Sequence, residues 1–440
     1  MVSISPQYLP PKENNKKRKQ KWILLAVFLF ILITSLTVFF LFFGNKNDKN
    51  KEPIYSTYQI CGLEPKQQQA LFEEREELET IGFEDYLFYG ESFSVFKNKY
   101  ELGQVDEFVG KTIQFRDVCT GTIHSFLVNH NLDTNVPLED IPVGFYEVVI
   151  QQNLDAYRLI HPTEINETFY TITRDNKRHE LHFIADRMLF TDIYTQDLLL
   201  SGNELFVEVK ETDVDPNIVD VVLDPAYNSQ DFGPVNKGLE LDGFTEADET
   251  YRFALDVQKK LEEHGLTVKL TRPNDELVVN TYGDTGRVFA ALDSKAKVMV
   301  ELYFETVEDR NLEGTSVYGT YYASLNFQEQ IIKQFEKQGL PIFIGSRNQY
   351  GAFHNLLTDG LDSNNLIRES GGYALSAGEF SEISARLNEF AIGNRFGVHT
   401  VSLNLLMSSN YDFLSTYQQN YDKMVEATTQ GILSYLGIKQ

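Results

Sequence analysis

The chain has 440 residues but only 2 cysteines and 1 tryptophan. Two thiols exclude a disulfide-dense scaffold and a multi-thiolate zinc site. Basic residues are also short, 39 against 64 acidic ones, for a formal net charge of −25. A nucleic-acid binder needs a basic surface to displace counterions, so no nucleic-acid partner is expected. No Gly-x-Ser-x-Gly elbow and no Gly-x-Gly-x-x-Gly loop occurs, so neither nucleophilic serine chemistry nor dinucleotide binding is indicated. What the chain does have is apolar mass, 42% hydrophobic and 13% aromatic residues, too much for disorder and enough for more than one folded region. Eight histidines leave a histidine metal site open, so their positions matter.

The charge is unevenly placed. Residues 1–21 hold six bases (Lys12, Lys16, Lys17, Arg18, Lys19 and Lys21) and one acid, Glu13. The rest of the chain has 33 bases against 63 acids. Between them, residues 22–43 run for 22 residues without a charge. At about 1.5 Å per residue this spans roughly 33 Å, enough to cross a hydrocarbon core. A signal-peptide core is shorter and ends at small residues, whereas this run ends in Phe42-Phe43-Gly44-Asn45. The expectation is a single uncleaved transmembrane helix, with Trp22 at the boundary. By the positive-inside rule the N-terminus is cytoplasmic and the remaining chain extracytoplasmic, in the cell membrane as a single-pass protein. The residues leave open whether Cys61 and Cys119 pair or stay as two thiols.

The chain divides into a basic stub (1–21), the span (22–43), a tether with a connecting helix (44–82, the helix at 64–80), a β-rich region (83–212) and an α/β domain (213–440). Short β-branched and aromatic runs at 86–89, 111–115, 122–128, 144–150, 156–160, 168–173, 180–184 and 204–209 predict a small antiparallel sheet structure. It holds His124, His130, His161, His179 and His182. The last two are three apart and face opposite sides of a strand, which favours strand-filling over metal binding. Beyond 216 the pattern alternates: strands at 218–224, 266–270, 298–304, 315–322 and 398–405, and helices at 246–264, 286–296, 324–338, 379–394 and 412–436. Residues 345–378 read as loop. Strand–helix alternation predicts a layered α/β fold.

Five segments of this domain fall in a recognisable order. They are Val221-Val222-Leu223-Asp224-Pro225-Ala226-Tyr227-Asn228-Ser229, then Glu246-Ala247-Asp248, then Gly265 to Arg272 with Arg287 following. Next come Val300-Glu301-Leu302-Tyr303-Phe304-Glu305 and Gly314 to Tyr318 with Tyr321-Tyr322. The last is Ser402-Leu403-Asn404-Leu405-Leu406-Met407-Ser408-Ser409-Asn410. This order resembles the zinc-dependent N-acetylmuramoyl-L-alanine amidases of the amidase_3 family over about residues 216–438. The resemblance implies a central sheet flanked by helices. It also implies a zinc held by two histidines and a glutamate, with a last-strand glutamate moving the proton. The matching positions here are Tyr227, Glu246, Tyr303 and Asn404, so only Glu246 is a family ligand.

A phenol is a poor substitute for an imidazole, and an amide cannot relay a proton. No catalytic residue, no metal and no cofactor is therefore expected at these positions. Glu246 also suits the start of a helix on electrostatic grounds alone, with Thr245 as its cap. Tyr227 and Tyr303 are expected to fill the vacated space by packing or a mutual hydrogen bond. The functional expectation is a membrane-anchored, catalytically silent amidase-like protein that binds peptidoglycan or cell-wall and division partner proteins. Two alternatives stay open. One is an active amidase with a zinc site rebuilt from Glu246 and His354 or His399. The other is an interaction protein acting through its β-rich region.

Overall fold

The computed structural model describes residues 60–438 except 188, 190–198, 232, 242, 347–348 and 377–394. Among these residues no helix is long and apolar enough to cross a membrane. The expected span at 22–43, the basic stub, the polar tether and the expected helix at 379–394 all lie outside them.

The described chain opens with helix α1 (Pro65–Glu73) and strand β1 (Glu79–Gly82), so the helix expected over 64–80 ends early. Tertiary contacts override its helix propensity. Arg75 turns inward to Glu147 and Glu204, at 3.1 Å from each. Thr80 and Ile81 then add to a sheet as a parallel strand. The β-rich region continues as β2 (Asp85–Tyr89), β3 (Ser92–Phe96), β4 (Thr112–Asp117), β5 (Ile123–Leu127), β6 (Val136–Pro137) and β7 (Gly144–Gln152), then β8 (Asp155–His161), β9 (Ile165–Tyr170), β10 (Lys177–Ala185) and β11 (Asn203–Asp213). Eight of these strands form one sheet in the order β5-β4-β7-β8-β11-β10-β9, with β1 beside β8. All its pairings are antiparallel except that of β1 with β8. Strands β2, β3 and β6 form a second, smaller sheet. Phe88, Phe93 and Val95 of that sheet share one apolar core with Phe115, Val148, Phe183 and Val207 of the first. A Cys61–Cys119 disulfide ties the segment just before α1 to the turn after β4. That resolves the pairing which the sequence left open.

The α/β domain contributes β12 (Val221–Pro225), a short hairpin of β13 (Glu240–Leu241) and β14 (Phe244–Thr245), helix α2 (Glu246–Glu263), β15 (Val268–Leu270), α3 (Arg287–Asp293), β16 (Val298–Glu305), β17 (Ser316–Gly319) and α4 (Asn326–Lys337). The stretch expected to be loop instead holds β18 (Ala352–His354), β19 (Leu357–Thr358), β20 (Leu361–Asp362), α5 (Asn365–Ser370) and α6 (Tyr373–Ser376). These elements are short and locally fixed; the Asn364 side chain caps α5 by accepting from the Ile367 N–H at 3.1 Å. The chain closes with β21 (Phe396–Gly397), β22 (His399–Met407) and α7 (Phe413–Tyr435).

Six strands form the sheet β15-β12-β16-β22-β17-β18. Its central strands β12, β16 and β22 are parallel neighbours, and β17 runs antiparallel to β22. Strand side chains alternate between faces, and here the two faces differ in kind. Val221, Leu223, Val300, Leu302, Val401 and Leu403 join one large core with residues of α2, α4 and α7. The opposite face has apolar residues only at its base, Val222 and Met299, packed with Val288 and Leu366 of α3 and α5. Above them it carries Asp224, Glu301, Tyr303, Ser402 and Asn404.

The β-rich region docks at the other end of the α/β sheet. Arg178 and Asp220 form an ion pair at 3.2 Å with both side chains fully buried. Asp220 also accepts from the Thr173 and Thr267 N–H groups, at 3.0 and 2.8 Å. Asp220 immediately precedes β12, and the buried Lys297 immediately precedes β16. Strand β21 adds to β2 across the same junction. The contact is thus made at the amino ends of the parallel strands. Their carboxyl ends, where open α/β sheets bind ligands, point away from it.

Candidate functional site

At the carboxyl end of β12 the chain turns sharply. Tyr227 and Asn228 both take left-handed backbone conformations, with φ of 68° and 47°. Asparagine tolerates this region; tyrosine does so less readily. Arg287 on α3 holds the turn. Its guanidinium donates to the Val279 and Pro225 carbonyls at 3.1 Å each, to the Tyr227 carbonyl and to the buried carboxylate of Asp224. The Thr271 hydroxyl donates to the same Asp224 oxygen.

The Tyr227 phenol leaves this turn and donates to the main-chain oxygen of Phe304 at 2.8 Å. Burial pushes its ionisation far above the ordinary range, and the nearby Glu246 carboxylate pushes it further. Glu246 opens helix α2 and is 3% exposed. One carboxylate oxygen accepts the Leu239 N–H at 2.7 Å; the other makes no hydrogen bond among the described residues. Thr245 occupies the N-cap position of α2, but its side chain makes no capping bond. The Gly238 backbone, at φ 73°, lies against both Glu246 and Tyr227, where a Cβ would overlap them.

Tyr303 pairs with Asn404 in the β16–β22 register, just before a bulge that ends at Glu305. Asn404 is fully buried. Its side-chain oxygen accepts the Glu305 N–H at 3.0 Å, and its amide donates to Ser316 Oγ at 3.2 Å. Burial first, and then Glu305 and Glu301, push the Tyr303 phenol well above its ordinary range. The four family-equivalent positions therefore gather at the carboxyl ends of β12 and β16, the facing β22 and the start of α2. The expected tyrosine–tyrosine hydrogen bond is replaced by a bond from Tyr227 to the main chain of β16.

Two acids on β16 belong to the same face and were not singled out from the sequence. Burial and the neighbouring Asp224 push the Glu301 carboxyl upward, while the Ser402 hydroxyl and the Asn364 amide donate to it and oppose that shift. Burial also raises Glu305. The signal was the alternation Glu301-Leu302-Tyr303-Phe304-Glu305, which puts all three polar side chains on one face.

The donors present do not fit a zinc ion. At the four family-equivalent positions they comprise one carboxylate, two phenols held neutral and one amide whose oxygen already accepts a main-chain N–H. Zinc in proteins takes thiolate, imidazole or carboxylate. Among the described residues no group of three His, Cys, Asp or Glu side chains is placed to hold a metal. Nor do His354 and His399 meet Glu246. His399 pairs with Val298 at the amino end of β16, five residues from the Tyr303–Asn404 pair. That is roughly 16 Å along the sheet. It is fully buried, bonded through Nδ1 to the Tyr435 hydroxyl at 2.7 Å, and burial lowers its basicity. His354 lies on the edge strand β18, opposite Gly319, with Nδ1 at 3.0 Å from the Thr320 carbonyl oxygen. In the β-rich region, His182 Nε2 meets Asn166 Oδ1 at 2.6 Å, a strand-filling contact.

Residues 221–350 match the model of the amidase_3 family, described as N-acetylmuramoyl-L-alanine amidase. The chain carries a peptidoglycan amidase-like domain. Solved structures similar to it include the catalytic domain of CwlV, an N-acetylmuramoyl-L-alanine amidase from Bacillus (Paenibacillus) polymyxa var. colistinus. That one is 20% identical, covers 50% of this chain and 100% of its own, and has a TM-score of 0.36. The amidase AmiC2 of Nostoc punctiforme is 18% identical over 50% of this chain and 97% of its own, with a TM-score of 0.34. The CwlD amidase from Clostridioides difficile, solved in complex with the GerS lipoprotein, is 15% identical over 50% of this chain and 100% of its own, with a TM-score of 0.34. No curated protein matches the chain.

Proposed function

We propose that this is a membrane-anchored, extracytoplasmic amidase-like protein whose amidase domain has lost the hydrolytic reaction and acts by binding. Its ligand is peptidoglycan, through the stem peptide that an amidase would grip, or a cell-wall partner protein. One observation carries this reading. At the position of the first family histidine stands Tyr227, and its phenol is spent on the Phe304 main-chain oxygen at 2.8 Å. A neutral phenol so engaged offers no lone pair comparable to an imidazole nitrogen, so water at this site is not acidified by a metal. Asn404, at the position of the proton-moving glutamate, has no titratable carboxyl. What remains on this face includes neutral hydroxyls and the Glu301 and Glu305 carboxyl groups, which burial shifts toward their protonated form. That chemistry suits hydrogen-bonded recognition of amides.

The test is to incubate the purified full chain with peptidoglycan and to measure its metal content. Retention of the chain on sedimented peptidoglycan, without release of stem peptides and without stoichiometric zinc, is expected. Stoichiometric zinc together with released peptide would overturn the reading.

A further inference from the structure

The six-stranded sheet ends on one side at β15. The Val221 N–H donates to the Thr267 carbonyl at 3.2 Å, and the Thr271 N–H donates to the Leu223 carbonyl at 3.1 Å. Successive residues of a strand address opposite sides, so Thr267, Lys269 and Thr271 face β12 while Val268 and Leu270 direct their main-chain groups outward. The Gln258 amide meets one of these outward groups, the Val268 carbonyl, at 3.3 Å. Beside this edge lies a groove of about 640 Å³, between α2 and α3 and floored by the loop that follows β15. More than half of its lining residues are apolar. Leu255, Leu277 and Val278 are 40%, 41% and 40% exposed, and with Pro273 and Phe289 they form one patch. An open sheet edge next to a contiguous apolar groove is the arrangement that receives an added strand.

We propose that this groove binds an extended peptide segment of a partner protein, added as a strand beside β15, apolar at alternate positions and basic at its flanks. The alternation follows from the strand geometry. The basic flanks follow from charge: the groove is lined by Asp284 and Asp293, while its one lysine, Lys269, turns its ammonium to the Ala290 carbonyl at 3.3 Å. A second copy of this chain is the wrong sign for the same mouth, since beyond residue 21 it carries 33 bases against 63 acids. None of Tyr227, Glu246, Tyr303 and Asn404 lines the groove, so this inference stands whether or not that site is silent.

Hydrogen exchange of the full chain, with a capped synthetic octapeptide of alternating valines with lysine and threonine between them, tests it. The Val268 and Leu270 amides should exchange about tenfold more slowly or better in its presence. A version N-methylated on its strand-facing nitrogens should give no protection, and one with glutamate for lysine should bind about tenfold more weakly or worse. Val278→Asp on the groove wall should weaken the octapeptide to a similar degree, whereas Leu154→Asp, on the exposed turn between β7 and β8, should leave it unchanged. Unchanged exchange at Val268 and Leu270 would overturn the proposal. So would equal binding of the N-methylated peptide, or equal loss in the Leu154 variant. A concentration-dependent dimer that Val278→Asp dissolves would also overturn it, by making the occupant a second copy.

Discussion

The Tyr227 phenol and the Phe304 main chain exchange two hydrogen bonds. Tyr227 donates to the Phe304 oxygen at 2.8 Å, and the Phe304 N–H returns a longer bond of 3.3 Å to the phenol oxygen. The Tyr227 side chain therefore laces the turn after β12 onto β16.

This relationship predicts a gain of function in metal binding. The double variant Tyr227→His with Tyr303→His places two imidazoles beside Glu246, and histidine is among the residues that accept the left-handed backbone found at position 227. Zinc content measured by mass spectrometry should rise toward about one ion per chain, the count of a three-donor site with an open position. No change from wild type would show that the three positions do not converge closely enough to share an ion.

Glu246 should behave as a structural acid. Its carboxylate accepts the Leu239 N–H at 2.7 Å from a position 3% exposed. Glu246→Gln keeps an acceptor there and should change stability little. Glu246→Ala leaves the N–H without its partner and should cost about 1–3 kcal/mol in urea unfolding. Equal losses in the two variants would mean that the charge, not the hydrogen bond, is what the helix start requires.

Much of this site was readable as positions and little of it as bonds. The order of the motifs placed Tyr227, Glu246, Tyr303 and Asn404 together because Tyr227 follows a strand, Glu246 opens a helix, and Tyr303 and Asn404 lie on adjacent strands of one layered sheet. Their partners were not readable, since Tyr227, Glu246 and Asn404 all bond to main-chain atoms of Phe304, Leu239 and Glu305, which carry no sequence signature. The same limit applies to the fold. The strand Ser92–Phe96 was missed because its serines look solvent-facing, yet Ser92 and Ser94 are buried and meet Asn135 at 3.1 and 2.6 Å. The pairing of Phe88 with Phe396 joins segments about 300 residues apart, which no local pattern encodes. By contrast, the strands of the larger β-rich sheet were legible where β-branched and aromatic residues alternate, as along 144–150 and 180–184.

Lys297 predicts a pH dependence. Burial lowers its pKa from the ordinary 10.5 to about 8, partly opposed by Glu91. Below pH 8 the amine is protonated in both folded and unfolded chains, and the cost of burying the charge is fully present. Between about 8 and 10 the unfolded chain holds more protons, so stability should rise with pH. Above about 10 the buried tyrosines reverse the trend: burial raises Tyr89 and Tyr303 well above the ordinary value, so their unfolded forms ionise first. Urea unfolding across pH 7–10 should show the rise in wild type and a flatter profile in Lys297→Met. A rise of equal slope in the variant would assign it to another group.

The Cys61–Cys119 bond predicts how firmly the start of the folded unit is held. It joins residues 58 apart in sequence. Closing a loop of that length restricts the unfolded chain by about 4 kcal/mol in the chain-entropy account. The bond also fixes the segment just before α1, whose end brings Arg75 to Glu147 and Glu204 beneath the large sheet. The double variant Cys61→Ser with Cys119→Ser should therefore lower the urea midpoint, and reductant should lower it in wild type by a similar amount but leave the variant unchanged. Exchange in the variant should quicken first in α1 and β1, which lose their nearest covalent constraint, and least in β16 and β22 at the centre of the other sheet. A uniform quickening across both sheets would mean that the bond supports the whole unit rather than its entry segment.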